Sequence, residues 1–216
     1  MITFTKGTSI LSSFPYFRCT KSFVLPPPLD DTYWSERYLN GHIGWDVGEP
    51  TPPLRTYVEH LSNKEADILI PGCGNAWEAK FLCDLGFTSV TLIDISSHLV
   101  ALLRQKFEHL PLRILHGDFF DHQGCYDLIL EQTFFCAIDP ALRSNYVAKM
   151  IALLKPGGKL VGVLFNRMFD GGPPFGGSKQ EYEALFTPLF NQIKLEHCYN
   201  SLESRLNTEL FLIAQK

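Results

Sequence analysis

The chain has 216 residues with 19 basic and 23 acidic side chains, a formal charge of −4, and is 45% apolar and 19% charged. These values sit near globular averages of about 45–50% and 25% and exclude a disordered chain, a collagen and a coiled coil; at about 100–200 residues per domain they point to one domain, large enough to fold without a metal or disulfide staple. The mildly acidic balance gives no domain-wide basic field for a nucleic-acid partner, and no uncharged apolar run reaches the ~18 residues of a membrane span.

The first 29 residues contain no Asp or Glu, carry only Lys6, Arg18 and Lys21 as charges, and are rich in Ser and Thr. An organelle transit peptide has this acid-poor, hydroxyl-rich profile, but a single arginine and no helical period favour a loosely ordered arm, residues 1–28, ahead of a single domain over 29–216. From there the pattern alternates. Ala66–Pro71 reads as a short apolar strand followed at once by Gly72-Cys73-Gly74, and Trp77–Leu85 as a helix stopped by Gly86. Val90–Ile95 is a second strand, and Ser96 an N-cap for a helix carrying Leu99, Leu102, Leu103 and Phe107. Leu112–Leu115 and Tyr126–Leu130 are the third and fourth strands. Pro140 opens a helix with Leu142, Tyr146, Val147, Met150, Leu153 and Leu154 on its apolar face, and Lys155-Pro156-Gly157-Gly158 is expected to stop it before a fifth strand, Lys159–Phe165. A helix over Tyr182–Phe190 and strand-like stretches at Ile193–Tyr199 and Thr208–Ala214 complete the chain. Strands alternating with helices predict an α/β fold: a doubly wound, mostly parallel sheet with helices on both faces.

In such a sheet the ligand lies beyond the C-terminal strand ends, where strand order reverses. Gly72-x-Gly74 lets a backbone turn approach a ligand closely. A nicotinamide cofactor would want a third glycine three residues on; that position is Trp77. Asp94, at the end of the second strand, is placed to accept both hydroxyls of a ribose. Asp118 and Phe119 end the third strand, one able to accept from an adenine amino group and the other to supply an apolar face. Glycines, then an acid, then an acid outline an adenosine pocket without a pyrophosphate, which fits S-adenosylmethionine. The six cysteines are scattered with no Cys-x-x-Cys pair, so no metal site is expected and a reducing, cytoplasmic setting fits.

Seven further words run in order along the chain: Trp34-Ser35-Glu36-Arg37-Tyr38, Gly44-Trp45-Asp46-Val47-Gly48, Pro71-Gly72-Cys73-Gly74, Gly117-Asp118-Phe119-Phe120, Phe134-Phe135-Cys136-Ala137-Ile138-Asp139-Pro140, Leu154-Lys155-Pro156-Gly157-Gly158 and Gly172-Pro173-Pro174-Phe175. With them the chain resembles the thiopurine S-methyltransferase family and its thiol and halide methyltransferase relatives, among the class I S-adenosylmethionine-dependent methyltransferases. The resemblance implies a Rossmann-like, seven-stranded sheet with an N-terminal lid segment, S-adenosyl-L-methionine as cofactor and a small soft nucleophile, a thiol or halide, as acceptor. It implies that Trp34, Tyr38 and Trp45 fold over the cofactor, that Gly72 lies under its methionine part, that Asp94 holds the ribose, and that Asp118 and Phe119 contact the adenine. Gln132 falls where thiol and halide relatives often carry Tyr. Arg143 matches an arginine held near the acceptor, and Arg205 a second one, more loosely.

A soft anion needs no base at the moment of attack, and no His–acid pair stands out. His42 beside the lid is the nearest candidate base, and a solvated loop histidine is the preferred reading. His60, His98, His109, His122 and His197 read as surface residues, and His116 as a core histidine. Two alternatives are weighed: a nicotinamide-dependent oxidoreductase, which Trp77 disfavours, and a nucleic-acid methyltransferase, for which Glu131-Gln132-Thr133-Phe134 lacks the base-holding pattern. The expected partner is a small-molecule acceptor, with neither nucleic acid nor membrane; the sequence leaves oligomeric state open, and a monomer is compatible with it.

Overall fold

The computed structural model describes residues 27–216. The expected arm, residues 1–28, therefore lies outside the described residues except for Pro27 and Pro28. Seven strands form one sheet: β1 (Ile68–Pro71), β2 (Val90–Asp94), β3 (Leu112–His116), β4 (Tyr126–Gln132), β5 (Leu154–Phe165), β6 (Gln192–His197) and β7 (Glu209–Gln215). Their order is β3-β2-β1-β4-β5-β7-β6. The first five are parallel, and β7 runs antiparallel to both β5 and β6. Strand order thus reverses beside β1, between Gly72 on one side and Gln132 on the other.

Among the described residues six helices accompany the sheet: α1 (Asp31–Leu39), α2 (Pro52–Glu59), α3 (Trp77–Asp84), α4 (Ser97–Lys106), α5 (Arg143–Leu153) and α6 (Lys179–Phe186). Alternate strand residues face opposite layers. Ile68 and Ile70 of β1 pack with Leu54, Val58, Leu82, Leu99 and Leu103 of α2, α3 and α4. Leu69 between them packs with Tyr146, Met150 and Phe186 of α5 and α6. Both faces of the central strands are covered, which is why they read as continuous apolar runs. Each fully buried side chain of this kind contributes about 1.5–3 kcal/mol.

Where the elements differ from the sequence reading, specific contacts account for it. The helix α1 carries no core-facing stripe to announce it, since it buries no residue at all, whereas α2 does bury Pro53, Leu54 and Val58. The start of α1 is set instead by Asp30, whose carboxylate accepts from the Tyr33 N–H at 3.0 Å. Leu102 and Leu142, assigned to apolar faces, are 48% and 38% exposed. The Lys-Pro-Gly-Gly turn does not precede β5 but lies inside its first residues: Leu154 already pairs with Tyr126, and the register slips by a bulge before Leu128 meets Lys159. Lys155 fixes that start by bridging Asp67 at 2.7 Å and Asp127 at 2.8 Å. Two histidines exchange places relative to expectation. His116 ends β3 exposed, 3.5 Å from Asp31, whereas His122 is buried and shares a hydrogen bond of 2.8 Å with the Tyr126 hydroxyl. No helix among the described residues is long and apolar enough to cross a membrane.

Candidate active site

A cavity of about 1130 Å³ opens at the C-terminal ends of β1 to β5, under a roof formed by α1 and residues 40–51. Sites for one small ligand run about 300–1,000 Å³, so two small molecules fit side by side. A second cleft of about 290 Å³, lined by Asp67, Ser89, Arg113 and Tyr126, lies at the opposite, N-terminal strand ends, where open sheets of this kind do not place their ligands. Trp34, Tyr38, Trp45, Gly72, Asp94, Asp118, Phe119 and Gln132 all line the large cavity. Among the described residues no cluster of His, Cys, Asp and Glu is arranged to hold a metal.

The floor follows from the strand ends. Gly72 has φ +54°, and a Cβ there would collide with the ring of Phe134, so only glycine makes the turn. Asp94 is 7% exposed and accepts from the Ser96 N–H at 2.9 Å and, weakly, from the Gly74 N–H at 3.4 Å. Burial pushes its carboxyl up to about 6, against the lowering effect of those two amides. Two donors leave lone pairs free for hydroxyls arriving from the cavity, which suits a ribose. Asp118 spends one oxygen capping a short 3₁₀ turn, accepting from the Phe120 N–H at 2.8 Å, and keeps the other. Phe119 is 4% exposed and stands edge-on to Phe134, with centroids 5.2 Å apart.

The roof is an aromatic cluster with polar fasteners. Trp34 and Tyr38 lie four residues apart on α1 and so share a face; both meet Trp45 edge-on, at 5.6 and 5.8 Å. Burial, reinforced by Asp94, pushes the Tyr38 hydroxyl up, keeping it a neutral donor. Asp46 pins the loop to the start of α3, accepting from the Trp77 indole N–H at 2.8 Å and from the Asn75 amide. Trp77, read in the sequence as a helix start in place of a third glycine, is therefore a fastener. Gln132 accepts from the Thr51 hydroxyl at 2.8 Å, fixing the far end of the loop.

The helix α1 itself is bound to α4. Asp31 accepts from the Ser97 N–H at 2.8 Å and the Ser97 hydroxyl at 3.0 Å. Ser35, one turn on, exchanges a hydrogen bond of 2.9 Å with the Ser96 hydroxyl, which in turn caps the Leu99 N–H at 3.1 Å. The first donors of α4, orphaned in any helix, are thus met from another helix. The Ser35 and Ser97 hydrogen bonds hold the Asp31 carboxyl below the usual carboxylate range.

Behind the wall, Glu131 is fully buried without a cation. It accepts from the Phe134 N–H at 3.0 Å, the Phe135 N–H at 3.1 Å and the Tyr146 hydroxyl at 2.5 Å, folding the turn at Thr133 (φ +58°) that presents Gln132 and Phe134 to the cavity. Burial pushes its carboxyl up to about 7. Arg143, expected at the acceptor, is not brought to the wall. Its guanidinium is 4% exposed, donates to Glu181 at 2.5 Å and to the Gly176 carbonyl at 2.7 Å, and lies over the Phe135 ring. It is not among the residues that line the cavity, and its two terminal nitrogens pair with the protein while its Nε has no partner among the described residues. Arg205 does line the cavity, donating to the Trp45 carbonyl at 3.1 Å. His42 lines the roof, exposed.

The profile of the family described as thiopurine S-methyltransferase (TPMT) matches residues 29–211. A probable thiol methyltransferase 2 of Arabidopsis thaliana is 36% identical over 163 residues, 72% of either chain. Thiocyanate methyltransferase 1 of Brassica oleracea is 28% identical, covering 86% of this chain and 85% of its own. Among solved structures, the 1,6-didemethyltoxoflavin-N1-methyltransferase of Burkholderia thailandensis, crystallised with S-adenosylhomocysteine, superposes with a TM-score of 0.64 at 18% identity over 86% of both chains, a likeness of fold. This chain belongs to the thiopurine S-methyltransferase family, and with it to the S-adenosylmethionine-dependent S-methyltransferases.

Proposed function

We propose that the domain over residues 29–216 methylates the sulfur of a small anionic thiol, with the cofactor over β1 to β3 and the acceptor over β4 and β5. The observation that carries this reading is the ionisable floor: Asp94 and Asp118 stand at neighbouring strand ends, and beyond Gly72 the same cavity continues past Gln132 to an apolar wall with Phe165, Phe169 and Phe175. Gly72 lies under the methionine part and Asp94, Asp118 and Phe119 hold the nucleoside, while Trp34, Tyr38 and Trp45 offer ring faces and edges around a sulfonium, whose attraction to such faces is worth ~0.5–2 kcal/mol. Bound here, S-adenosylmethionine supplies a methyl group that a thiolate sulfur takes in line, with S-adenosylhomocysteine left behind and no proton transferred. The residues of this chain then have three tasks. They align the acceptor, which can supply ~7–11 kcal/mol; they exclude water under the fastened roof; and they hold the wall rigid, Glu131 from behind Phe134 and Arg143 from behind residues 175–176. A cytoplasmic location and the absence of a nucleic-acid partner belong to the same reading.

The test is a pH–rate series with two thiols of different pKa, the products identified as S-methyl compounds. Because no base assists, kcat/KM for each should rise with pH up to roughly that thiol's own pKa. The acid limb should persist in His42→Ala. A limb common to both thiols near pH 6.5 that vanishes in that variant would replace this mechanism with a histidine base.

A further inference from the structure

Arg167 follows β5 by two residues and lines the cavity. Three other arginines stand at or behind this cavity, and each is engaged. Arg143 is on Glu181, Arg205 is on the Trp45 carbonyl with Glu209 at 3.6 Å, and Arg37 donates to the Tyr33 hydroxyl at 2.6 Å. Arg167 is exposed, and among the described residues its guanidinium makes no hydrogen bond and has no carboxylate within 4.0 Å. Nor can the first 26 residues supply a carboxylate, since they contain no Asp or Glu. Yet the residue is held in place. Its guanidinium stacks on Phe169 at 4.7 Å, Phe169 stands edge-on to Phe165 at 5.0 Å, and its carbonyl accepts from the Gly177 N–H at 3.0 Å. A planar cation laid on an aromatic ring, with its fork unspent, is pre-organised for a planar, two-oxygen anion.

Strand order says which ligand that anion belongs to. Asp94 ends β2 and Arg167 follows β5, three strand spacings away across β1 and β4, or about 14 Å at ~4.8 Å each. The adenosine end of the cavity is acidic, with Asp94 and Asp118; the far end has Arg167, the rings of Phe165, Phe169 and Phe175, and no carboxylate that reaches Arg167. We propose that Arg167 is a specificity-determining residue forming an anion subsite, which selects acceptors carrying a carboxylate on the far side of the ring or chain that bears the thiol. This rests on the S-methyltransferase reading above and adds the class of acceptor to it. The carboxylate plays no part in the transfer. It pairs with Arg167 while the thiolate, at the other end, faces the cofactor side.

The experiment compares 4-mercaptobenzoate with its methyl ester, which has the same ring and thiol but no charge, at pH 8, where both thiols are ionised. Wild type should prefer the acid in kcat/KM by roughly tenfold or more. Arg167→Gln should bring the acid-to-ester ratio close to one, and Arg167→Lys, a point charge without the fork, should restore part of it. Affinity for S-adenosylhomocysteine is measured in the same variants. An acid-to-ester ratio near one in wild type, or a preference that survives Arg167→Gln, would overturn the subsite. So would a tenfold loss of S-adenosylhomocysteine affinity in that variant, which would assign Arg167 to the cofactor. Calorimetry with 4-(methylthio)benzoate and its ester, titrated into the S-adenosylhomocysteine-bound protein, reads the same preference without turnover. Absent methylation then counts against the function, and absent acid preference against the subsite.

Discussion

The carboxyl of Asp94 should make cofactor binding fail on the acid side. Its burial pushes it up to about 6, so below that pH the free protein holds a proton on the group proposed to accept two ribose hydroxyls. The ionised form accepts both; the neutral acid presents its own O–H to one of them. If only the ionised form binds well, the apparent Kd grows by the factor 1 + 10^(pKa − pH), about 11 at pH 5 and close to 1 at pH 7.5, a change of ~1.4 kcal/mol. Calorimetry with S-adenosylhomocysteine at pH 5.0, 6.0 and 7.5 measures it directly. Repeating the titration near pH 5.5 in buffers of different ionisation enthalpy should show protons released on binding. Asp94→Asn supplies the control, since an amide keeps one acceptor oxygen and does not titrate. It should bind roughly 10–100-fold more weakly at pH 7.5, as expected for losing charge-assisted hydrogen bonds, with little further loss at pH 5. Any titration of the ligand itself appears in both proteins and cancels. Wild-type affinity that is flat between pH 5 and 7.5, or a slope retained in Asp94→Asn, would refute the assignment of Asp94 to the ribose.

The roof should open in its loop and not in its helix: limited proteolysis of the apo protein should cut within residues 40–50 and spare α1, S-adenosylhomocysteine should protect the loop, and equal cutting of α1 in wild type would count against the docking described. Removing the fastener with Asp31→Ala or Ser35→Ala exposes orphan donors of α4, at a cost of about 0.5–2 kcal/mol, and should extend the cuts into α1. Glu131 has a folded-state value near 7 against an ordinary value near 4.5, so the folded protein holds that proton longer than the unfolded chain; its contribution to stability is greatest at low pH and is lost as pH rises from about 4.5 through 7. Thermal melts at pH 5 and pH 7.5 should therefore show a larger fall for wild type than for Glu131→Gln, whereas Glu131→Ala, which strands two amides and a hydroxyl, should melt lower than either at both pH values.

Legibility followed sequence distance. Strands buried on both faces are continuous apolar words, so β1, β2 and β4 could be read directly, and with the first two the strand ends that carry Gly72 and Asp94; Asp118 follows β3, which is buried only at its centre. The helices facing the core were legible through their stripes, as in Leu99 and Leu103 of α4 or Tyr146 and Met150 of α5. The helix α1 buries nothing and had no stripe to show; only Asp30 marked its start. The bulged opening of β5 was missed because Pro-Gly-Gly is ordinarily a stop, and what overrides that habit is Lys155 reaching two carboxylates 88 and 28 residues away.

The site divides along the same line. That the glycine turn and the strand-end acids reach the cavity could be read from their position in the chain alone. Residues that act by what they pair with could not be read so. As letters in the sequence Arg143 and Arg167 do not reveal that one is buried and the other exposed. One is spent on Glu181, 38 residues on, and the other keeps its charge because no acid folds near it. An arginine's role in an anion site is therefore decided by its partners' positions, which only the folded chain reveals. The same holds for Trp77. As a letter it starts a helix and contradicts a nicotinamide fingerprint, but its indole N–H meets Asp46, 31 residues earlier. That ties the roof to the helix that starts beneath the glycine turn. A substitution at Trp77 would therefore be felt first in how the roof closes, although no motif places Trp77 in the roof.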